Sequence, residues 1–465
     1  MAEKRLIVLG AGPGGYVAAI KAAQLGAKVT IIEDTEVGGT CLNRGCIPTK
    51  ALIASAEAID KINRAEEYGI EIKGEINCNL SKIIERKNKV VAIQVKGIRA
   101  LFKSWGIELL EGRGKIKDVN NVDVALKDGS SRTSEGDNII IATGSRPARI
   151  SLFSFDGKDI ITSDEALNIT EIPKGVLIVG AGVIGCEFAF ILKELGAEVT
   201  IVEMLSHAVA TEDEEISEIL ERELKKRKIK LILNTKIEKI ERGSDGSLTA
   251  FLSDGKQIKT EKVLVSIGRA LNTENIGLEG LDIKKGKKGE IEVNSRMETN
   301  VKGIYAIGDV IGGIMLAHVA STEGIVAAEN IMGHSREMDY NIVPAGIFTM
   351  PEIGSVGLRE KQAKEMGLDI KIGRFQFRGL GKAHAMGEIA GMAKIIADAK
   401  TDRVLGLHII GAHAADLVHE GAVAMRLGAK AKDIATTIHA HPTLSEAIME
   451  ASEDLHKIAI HMPKA

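Results

Sequence analysis

The sequence predicts an α/β chain built around two copies of one strand–turn–helix–strand unit, followed by an antiparallel sheet and helices. Three observations predict it. Residues 5–33, RLIVLGAGPGGYVAAIKAAQLGAKVTIIE, and residues 176–203, VLIVGAGVIGCEFAFILKELGAEVTIVE, share one plan, with an acid at the same distance beyond the first glycine (Gly10 to Glu33, Gly180 to Glu203). Between and after them, NIIIATGSRP (138–147), KVLVSIGRA (262–270) and GIYAIGDV (303–310) are apolar runs that end in small-residue turns. From about residue 346, FTMPEIGSVG and KIIADAKTDRVLGLHIIG read as strands with turns, and the chain from 414 onward reads as helices.

Each repeated unit opens with a short apolar run that suits a buried strand, Leu6 to Leu9 in the first copy. Gly10, Gly12, Gly14 and Gly15 follow it, and Gly180, Gly182 and Gly185 hold the equivalent places in the second. In G-x-G-x-x-G the first glycine permits a tight turn, the second lets the backbone approach a pyrophosphate, and the third lets helix pack on strand. The helix N-terminus then offers free N–H groups and a positive dipole end to the anion, while the terminal carboxylate accepts from a ribose hydroxyl. These units are Rossmann-like, and the chain is read as binding two dinucleotides. Glu203 suits a free 2′-hydroxyl and would repel a 2′-phosphate; the residues after it, MLSHAVA, contain no lysine or arginine, so NAD is favoured over NADP. Asp309, at the end of GIYAIGDV, is placed to hold a polyol hydroxyl.

Composition narrows the class. The chain has 465 residues, 45% of them hydrophobic and 27% charged, with a net charge of −3. That length holds about two to four domains. No basic excess draws in phosphate backbones, so nucleic acid is not expected as a partner. No apolar run of about twenty residues suggests a membrane span, and MAEKRLIVLGAG does not read as a secretory leader. Four cysteines, Cys41, Cys46, Cys78 and Cys186, are too few for a secreted disulfide framework. The expectation is a cytoplasmic protein.

In GGTCLNRGCIPTK (38–50), Cys41 and Cys46 stand five positions apart. On a regular helix that spacing puts the Cα atoms about 8–9 Å apart, whereas a disulfide wants them within about 7 Å. A bridge therefore needs a bent backbone, and Pro48 is a candidate for the bend. Zinc would need further paired ligands, which the chain lacks, so no metal is expected. A structural disulfide is out of place in a reducing compartment. Redox exchange fits best beside two dinucleotide sites.

With these motifs in view, the chain resembles the pyridine nucleotide–disulfide oxidoreductases over nearly its whole length. The resemblance rests on GGTCLNRGCIPTK, both glycine fingerprints, ATGS, GIYAIGDV, MLAH (315–318) and IHAHPTLSEA (438–447), the last being similar to the lipoamide branch. It implies an FAD-binding domain with the redox disulfide (1–149), an NAD-binding domain (150–272), a central domain completing the FAD site (273–345) and a C-terminal α+β dimerisation domain (346–465). It further implies oxidation of protein-bound dihydrolipoyl groups to lipoyl, with FAD and NAD as cofactors. The homodimer would have shared active sites, and the partner would be a lipoyl-bearing protein of a multienzyme complex or a lipoate carrier. By the same resemblance Cys41 and Cys46 form the redox disulfide, His441 is the base and Glu446 orients it. Lys50 and Glu187 make an ion pair beside the flavin. FAD would be held by Gly10, Gly12, Gly14, Gly15, Glu33, Thr40, Lys50, Gly114, Thr143, Gly144, Ser145, Asp309, Met315, Ala317 and His318. NAD would be held by Gly180, Gly182, Gly185, Glu203, Ile237 and Gly268. The stretch FQFRGLGKAHAMGE (375–388) departs from the expected pattern through its glycines and Lys382.

Overall fold

A computed structural model describes residues 4–463, so the first three residues of the 1–149 stretch and the last two of 346–465 lie outside the described residues. The chain forms two compact units, one of residues 4–52, 81–149 and 268–339 and the other of 53–80, 150–267 and 340–463.

The first unit is organised by a seven-stranded sheet in the order Ile304–Ala306, Asn138–Ile141, Arg5–Leu9, Lys28–Glu33, Glu108–Ile116, Asn121–Leu126, Ser131–Glu135. The first five are parallel neighbours, and the last two pairings are antiparallel. A parallel strand covered on both faces reads as an unbroken apolar run, and Leu6, Ile7, Val8 and Leu9 are all buried. GIYAIGDV thus joins the first fingerprint's sheet across the chain, Ile304 lying beside Ile139. Helix Pro13–Gln24 packs on helix Ala317–Ile331 at very close range. Glycine makes this possible, because a Cβ on Gly324 would come within 2.5 Å of the Gly14 carbonyl oxygen.

The second unit carries a parallel sheet in the order Lys230–Ile232, Glu198–Val202, Gly175–Val179, Lys262–Val265, Ile160–Ile161. It also holds a three-stranded antiparallel sheet, Ile237–Arg242, Leu248–Leu252 and Gln257–Thr260. The strands expected after residue 346 form a five-stranded antiparallel sheet, Ala345–Ile347, Glu352–Gly357, Val404–Gly411, Met392–Asp398, Ile370–Gln376. Helices Ala414–Arg426 and Glu446–Leu455 cover it, burying Phe375, Ile395, Leu407, Ile409, Val418 and Ile448 together. The unusual 375–388 stretch ends a strand at Gln376 and then winds into a short helix, Gly381–Met386. Lys394 lies on an inner strand of this sheet with its side chain only 1% exposed, and Nζ reaches Asp213, Glu215 and Glu360 at 2.6–2.8 Å.

Among the described residues no helix is long and apolar enough to cross a membrane.

Candidate active site

The two glycine fingerprints fold alike, atom for atom in several places. Gly10 and Gly180 take φ of +106° and +100° at the strand ends, where a side chain would strike the Ala142 carbonyl in one case and the Ser266 carbonyl in the other. A Cβ on Gly15 would meet the Gly10 carbonyl oxygen at 1.9 Å, and one on Gly185 would meet that of Gly180 at 2.0 Å. The middle glycines are different. Gly182 has nothing within 4 Å of its would-be Cβ, and Gly12 has only the Gly39 Cα at 3.9 Å. Helices Pro13–Gln24 and Val183–Glu194 begin there with no side-chain cap and no acid in the first turn, so their N–H groups remain for an anion.

The terminal carboxylates repeat each other too. Glu33 accepts from the Ala11 N–H at 2.7 Å and the Thr35 N–H at 2.8 Å; Glu203 accepts from Ala181 and Leu205 at the same two distances. Both side chains are buried and face the mouth of a glycine turn. First and third glycines sealed by backbone, a middle glycine open and a carboxylate fixed beside the turn fit a dinucleotide in each unit.

Around the first fingerprint the chain returns several times. Gly39 at φ +59° lies against Gly12, so closely that a Cβ would be 2.5 Å from the Gly12 Cα. Thr40 donates its hydroxyl to the Ser145 carbonyl at 3.4 Å. Thr143 donates to the Asn272 carbonyl at 2.8 Å, and the Asn272 amide returns a bond to the Thr143 carbonyl at 2.9 Å. Gly144 holds φ +66° between them. The Ser145 hydroxyl bonds Asp309, and Arg269 donates through Nε to the same hydroxyl at 2.6 Å while lying 3.5 Å from the Asp309 carboxylate. Gly114 faces Ile32 and Val122 on the two neighbouring strands and Leu9 on the strand beyond Ile32. Met315 is exposed just before helix Ala317–Ile331, in whose first turn Ala317 and His318 lie.

Of the residues expected at the second fingerprint, Ile237 starts an antiparallel strand with its side chain buried in one apolar cluster with Val179 and Val202. Gly268, at φ +115°, falls in the first unit and accepts from the Ala148 N–H at 3.0 Å.

The cysteines sit at a break between helices Gly39–Arg44 and Cys46–Asn63. The bend lies at Gly45, with φ −143° and ψ −115°, and not at Pro48. Pro48 is the third residue of the second helix, where its missing N–H leaves no bond unmade. Gly45 works because it has no side chain: a Cβ would press on the Thr40 carbonyl at 3.0 Å and the Cys41 Cα at 3.2 Å. Its carbonyl is taken by the Thr49 N–H at 3.1 Å and hydroxyl at 2.6 Å, which starts the new helix under Cys46. Both cysteines are in the thiol form, with no disulfide between them. The hydrogen bond with Cys46, then burial, push the Cys41 pKa far up, and the Lys50 charge pulls against them without prevailing. Cys41 is therefore held in its protonated form beside Cys46.

In the second unit, His441 Nδ1 lies 2.8 Å from the Glu446 carboxylate, whose other oxygen accepts from the Thr443 N–H at 2.8 Å. A carboxylate only accepts, so Nδ1 carries the proton and Nε2 is the free, basic nitrogen. Burial pushes the Glu446 carboxyl up, but the His441 and Thr443 bonds outweigh it and hold the pKa below the usual value. Glu187 is buried and accepts from the Phe348 N–H at 3.0 Å.

Sequence reasoning did not find Arg269, Asn272, Glu323 or Gly45. Glu323 is buried and accepts from the Gly308 N–H at 2.7 Å, beside Asp309. The only signal for Arg269 and Asn272 was their place directly after the VLVSIG strand. Cys186 is an inert core thiol, buried with its Sγ on the Ala181 carbonyl at 3.3 Å.

Residues 4–324 match the family described as pyridine nucleotide-disulphide oxidoreductase, and residues 343–452 match its dimerisation domain. The chain is 43% identical over 472 residues to a dihydrolipoyl dehydrogenase of Bacillus subtilis, covering 99% of each. It is 42% identical to one of Chlamydia trachomatis, covering 99% of this chain and 98% of that one. Among solved structures, LpdA from Mycobacterium tuberculosis superposes with a TM-score of 0.92 at 29% identity, covering 97% of this chain and 99% of its own. Two fingerprints with a thiol pair between them, and a dimerisation domain after both, make the chain a member of the pyridine nucleotide-disulphide oxidoreductase family.

Proposed function

We propose that the chain is an FAD- and NAD-dependent dihydrolipoyl dehydrogenase, which oxidises protein-bound dihydrolipoyl groups to lipoyl. The observation that carries the reading is the hydrogen-bonded Cys41–Cys46 pair, set at a glycine break immediately beyond the Gly12–Gly39 contact. Full-length identity above 40% to dihydrolipoyl dehydrogenases supports the substrate class.

The residues divide the work. In the oxidised enzyme Cys41 and Cys46 are a disulfide. Nε2 of His441, with Nδ1 held by Glu446, takes the proton of one substrate thiol, because the thiolate is the nucleophile. That sulfur bonds to Cys41 Sγ, and Cys46 leaves as a thiolate. The second substrate thiol, its proton passing to solvent, then attacks the first sulfur, closing the lipoyl disulfide and expelling Cys41, which is protonated through His441. Two thiols of substrate have been oxidised and two of the chain reduced. Bound FAD supplies the electron acceptor for this dithiol, and bound NAD the hydride carrier. Gly10, Gly12, Gly14, Gly15, Glu33, Thr40, Gly114, Thr143, Gly144, Ser145, Asp309, Met315, Ala317 and His318 would hold FAD. Gly180, Gly182, Gly185, Glu203 and the backbone of Ile237 and Gly268 would hold NAD. Lys50 and Glu187 would form the ion pair beside the flavin, where a positive charge stabilises the reduced anionic ring.

The four-domain division at 149, 272 and 345 belongs to the same proposal. So does the active site shared across a homodimer, with His441 and Glu446 of one subunit serving the cysteines of the other. The dimerisation-domain match supports the dimer, as do the exposed Val423, Leu427 and Ile438 in that region. The lipoyl-bearing partner would be a subunit of a multienzyme complex or a lipoate carrier, and the compartment the cytoplasm.

The test is steady-state NADH formation from dihydrolipoamide by the purified yellow protein, with NADP in parallel. Turnover with NAD alone is expected. A protein that is reduced by NADH yet ignores dihydrolipoamide acts on another disulfide.

A further inference from the structure

Two histidines in the loop between helices Ala431–Ala435 and Glu446–Leu455 occupy opposite environments. The His441 side chain is 76% exposed, whereas that of His439 is 7% exposed. Both ring nitrogens of His439 are engaged. Nδ1 lies 2.8 Å from the Thr437 carbonyl oxygen, and Nε2 lies 3.0 Å from the Glu420 carboxylate. Glu420 stands on helix Ala414–Arg426, one of the two that cover the five-stranded sheet. The ring therefore ties the loop's own backbone to a fixed helix, while Glu446 ties the other side of the loop through His441 and the Thr443 N–H. His441 is held between two histidine–carboxylate contacts made on two different helices. Ile438 next to His439 is 97% exposed, and the nearest core residue of the loop is Leu444, beyond His441.

We infer that His439 and Glu420 are positioning residues for the base: together they fix the loop so that Nε2 of His441 meets the substrate thiol. The inference rests on the proposed role of His441. An exposed loop without such a tie samples many conformations, and small misplacements of a catalytic group cost heavily in rate. Two ring nitrogens with partners on opposite sides make histidine suited to the bridge. Its buried side chain keeps it out of contact with substrate, so its effect passes through the loop.

The experiment compares His439→Asn, His439→Gln and Glu420→Ala in the full-length holoenzyme. Glutamine places an amide N–H where Nε2 stands and can reach Glu420; asparagine serves only the Thr437 carbonyl. Three quantities are read: kcat and KM for dihydrolipoamide, NADH-dependent reduction of ferricyanide, and hydrogen exchange of residues 436–445. His439→Asn and Glu420→Ala are expected to lower kcat for dihydrolipoamide about tenfold or more, with ferricyanide reduction unchanged and loop exchange accelerated. His439→Gln is expected to recover most of the rate. Parent-like kcat and exchange in His439→Asn would overturn the inference, as would equal losses in both activities. If the parent itself ignores dihydrolipoamide, the functional reading fails, and loop exchange still decides whether the His439–Glu420 tie holds the loop.

Discussion

Gly182→Ala separates binding from folding. Gly182 has φ −72° and ψ −175°, extended backbone that alanine adopts without strain. No heavy atom lies within 4 Å of the new methyl group. The ligand-free fold should therefore be unharmed, or stabilised by about 0.4–1 kcal/mol because the unfolded chain loses freedom. The methyl would stand where the backbone has to approach the pyrophosphate. Filling a close contact costs about 1–3 kcal/mol, equivalent to about a 5- to 150-fold weaker Kd for NADH. Gly185→Ala is the contrast, since its methyl would lie 2.0 Å from the Gly180 carbonyl oxygen and 2.8 Å from the Ser266 hydroxyl; that variant should lose stability. NADH titration of the holoenzyme alongside thermal denaturation reads both effects. Parent-like NADH affinity in Gly182→Ala, or a Tm as low as that of Gly185→Ala, would refute the assignment of the open glycine to the ligand.

Other changes probe the remaining parts. Cys46→Ser should abolish NADH formation from dihydrolipoamide while FAD stays bound, and turnover near the parent rate would show that the thiol pair is not on the electron path. Glu446→Gln should cut the same turnover about 10- to 100-fold and leave ferricyanide reduction intact, because only the thiol step needs an oriented base. The Glu446 carboxyl is held below its ordinary pKa of 4.5, so its contribution to stability is present above that value and is lost as pH falls through the lower folded pKa. A stability profile between about pH 3 and 6 should show the parent losing more than Glu446→Gln only at the acid end. Lys394→Met removes the cation from Asp213, 2% exposed, whereas Glu215 keeps Arg374 at 2.6 Å. Stranding a buried carboxylate costs about 3–5 kcal/mol, which chemical denaturation would report as a lower midpoint, and an unchanged midpoint would mean the carboxylates do not depend on Lys394.

What the sequence made legible was whatever lies within one short span. The fingerprints are local, with turn, helix and acid inside about thirty residues, and both copies fold with the same pair of backbone bonds, to Glu33 in one and Glu203 in the other. The His441–Glu446 contact is also local, at five positions. The contacts that complete the first site are not local: Thr143 with Asn272, Ser145 with Arg269 and Asp309, Gly308 with Glu323. Nothing in the spacing of residues 145, 269 and 309 announces that a two-stranded ribbon, Ser145–Pro147 with Arg269–Leu271, and the turn after Ile304–Ala306 bring them together. Gly45 marks the boundary between the two cases. It lies inside the quoted cysteine motif, yet proline, which restricts the backbone visibly, drew the bend to itself in the reading of sequence. The actual constraint is a missing Cβ, felt only once the Thr40 carbonyl and the Cys41 Cα are known to stand 3.0 and 3.2 Å away. A glycine chosen for closeness leaves no periodicity and no charge to read; it becomes visible only with the atoms it lets in. The same holds for Gly39 against Gly12 and Gly324 against Gly14. Close approach of backbone to backbone is what gathers the cysteine helix, the fingerprint turn and the helix beyond Asp309 around one space, and it is carried by side chains that are absent.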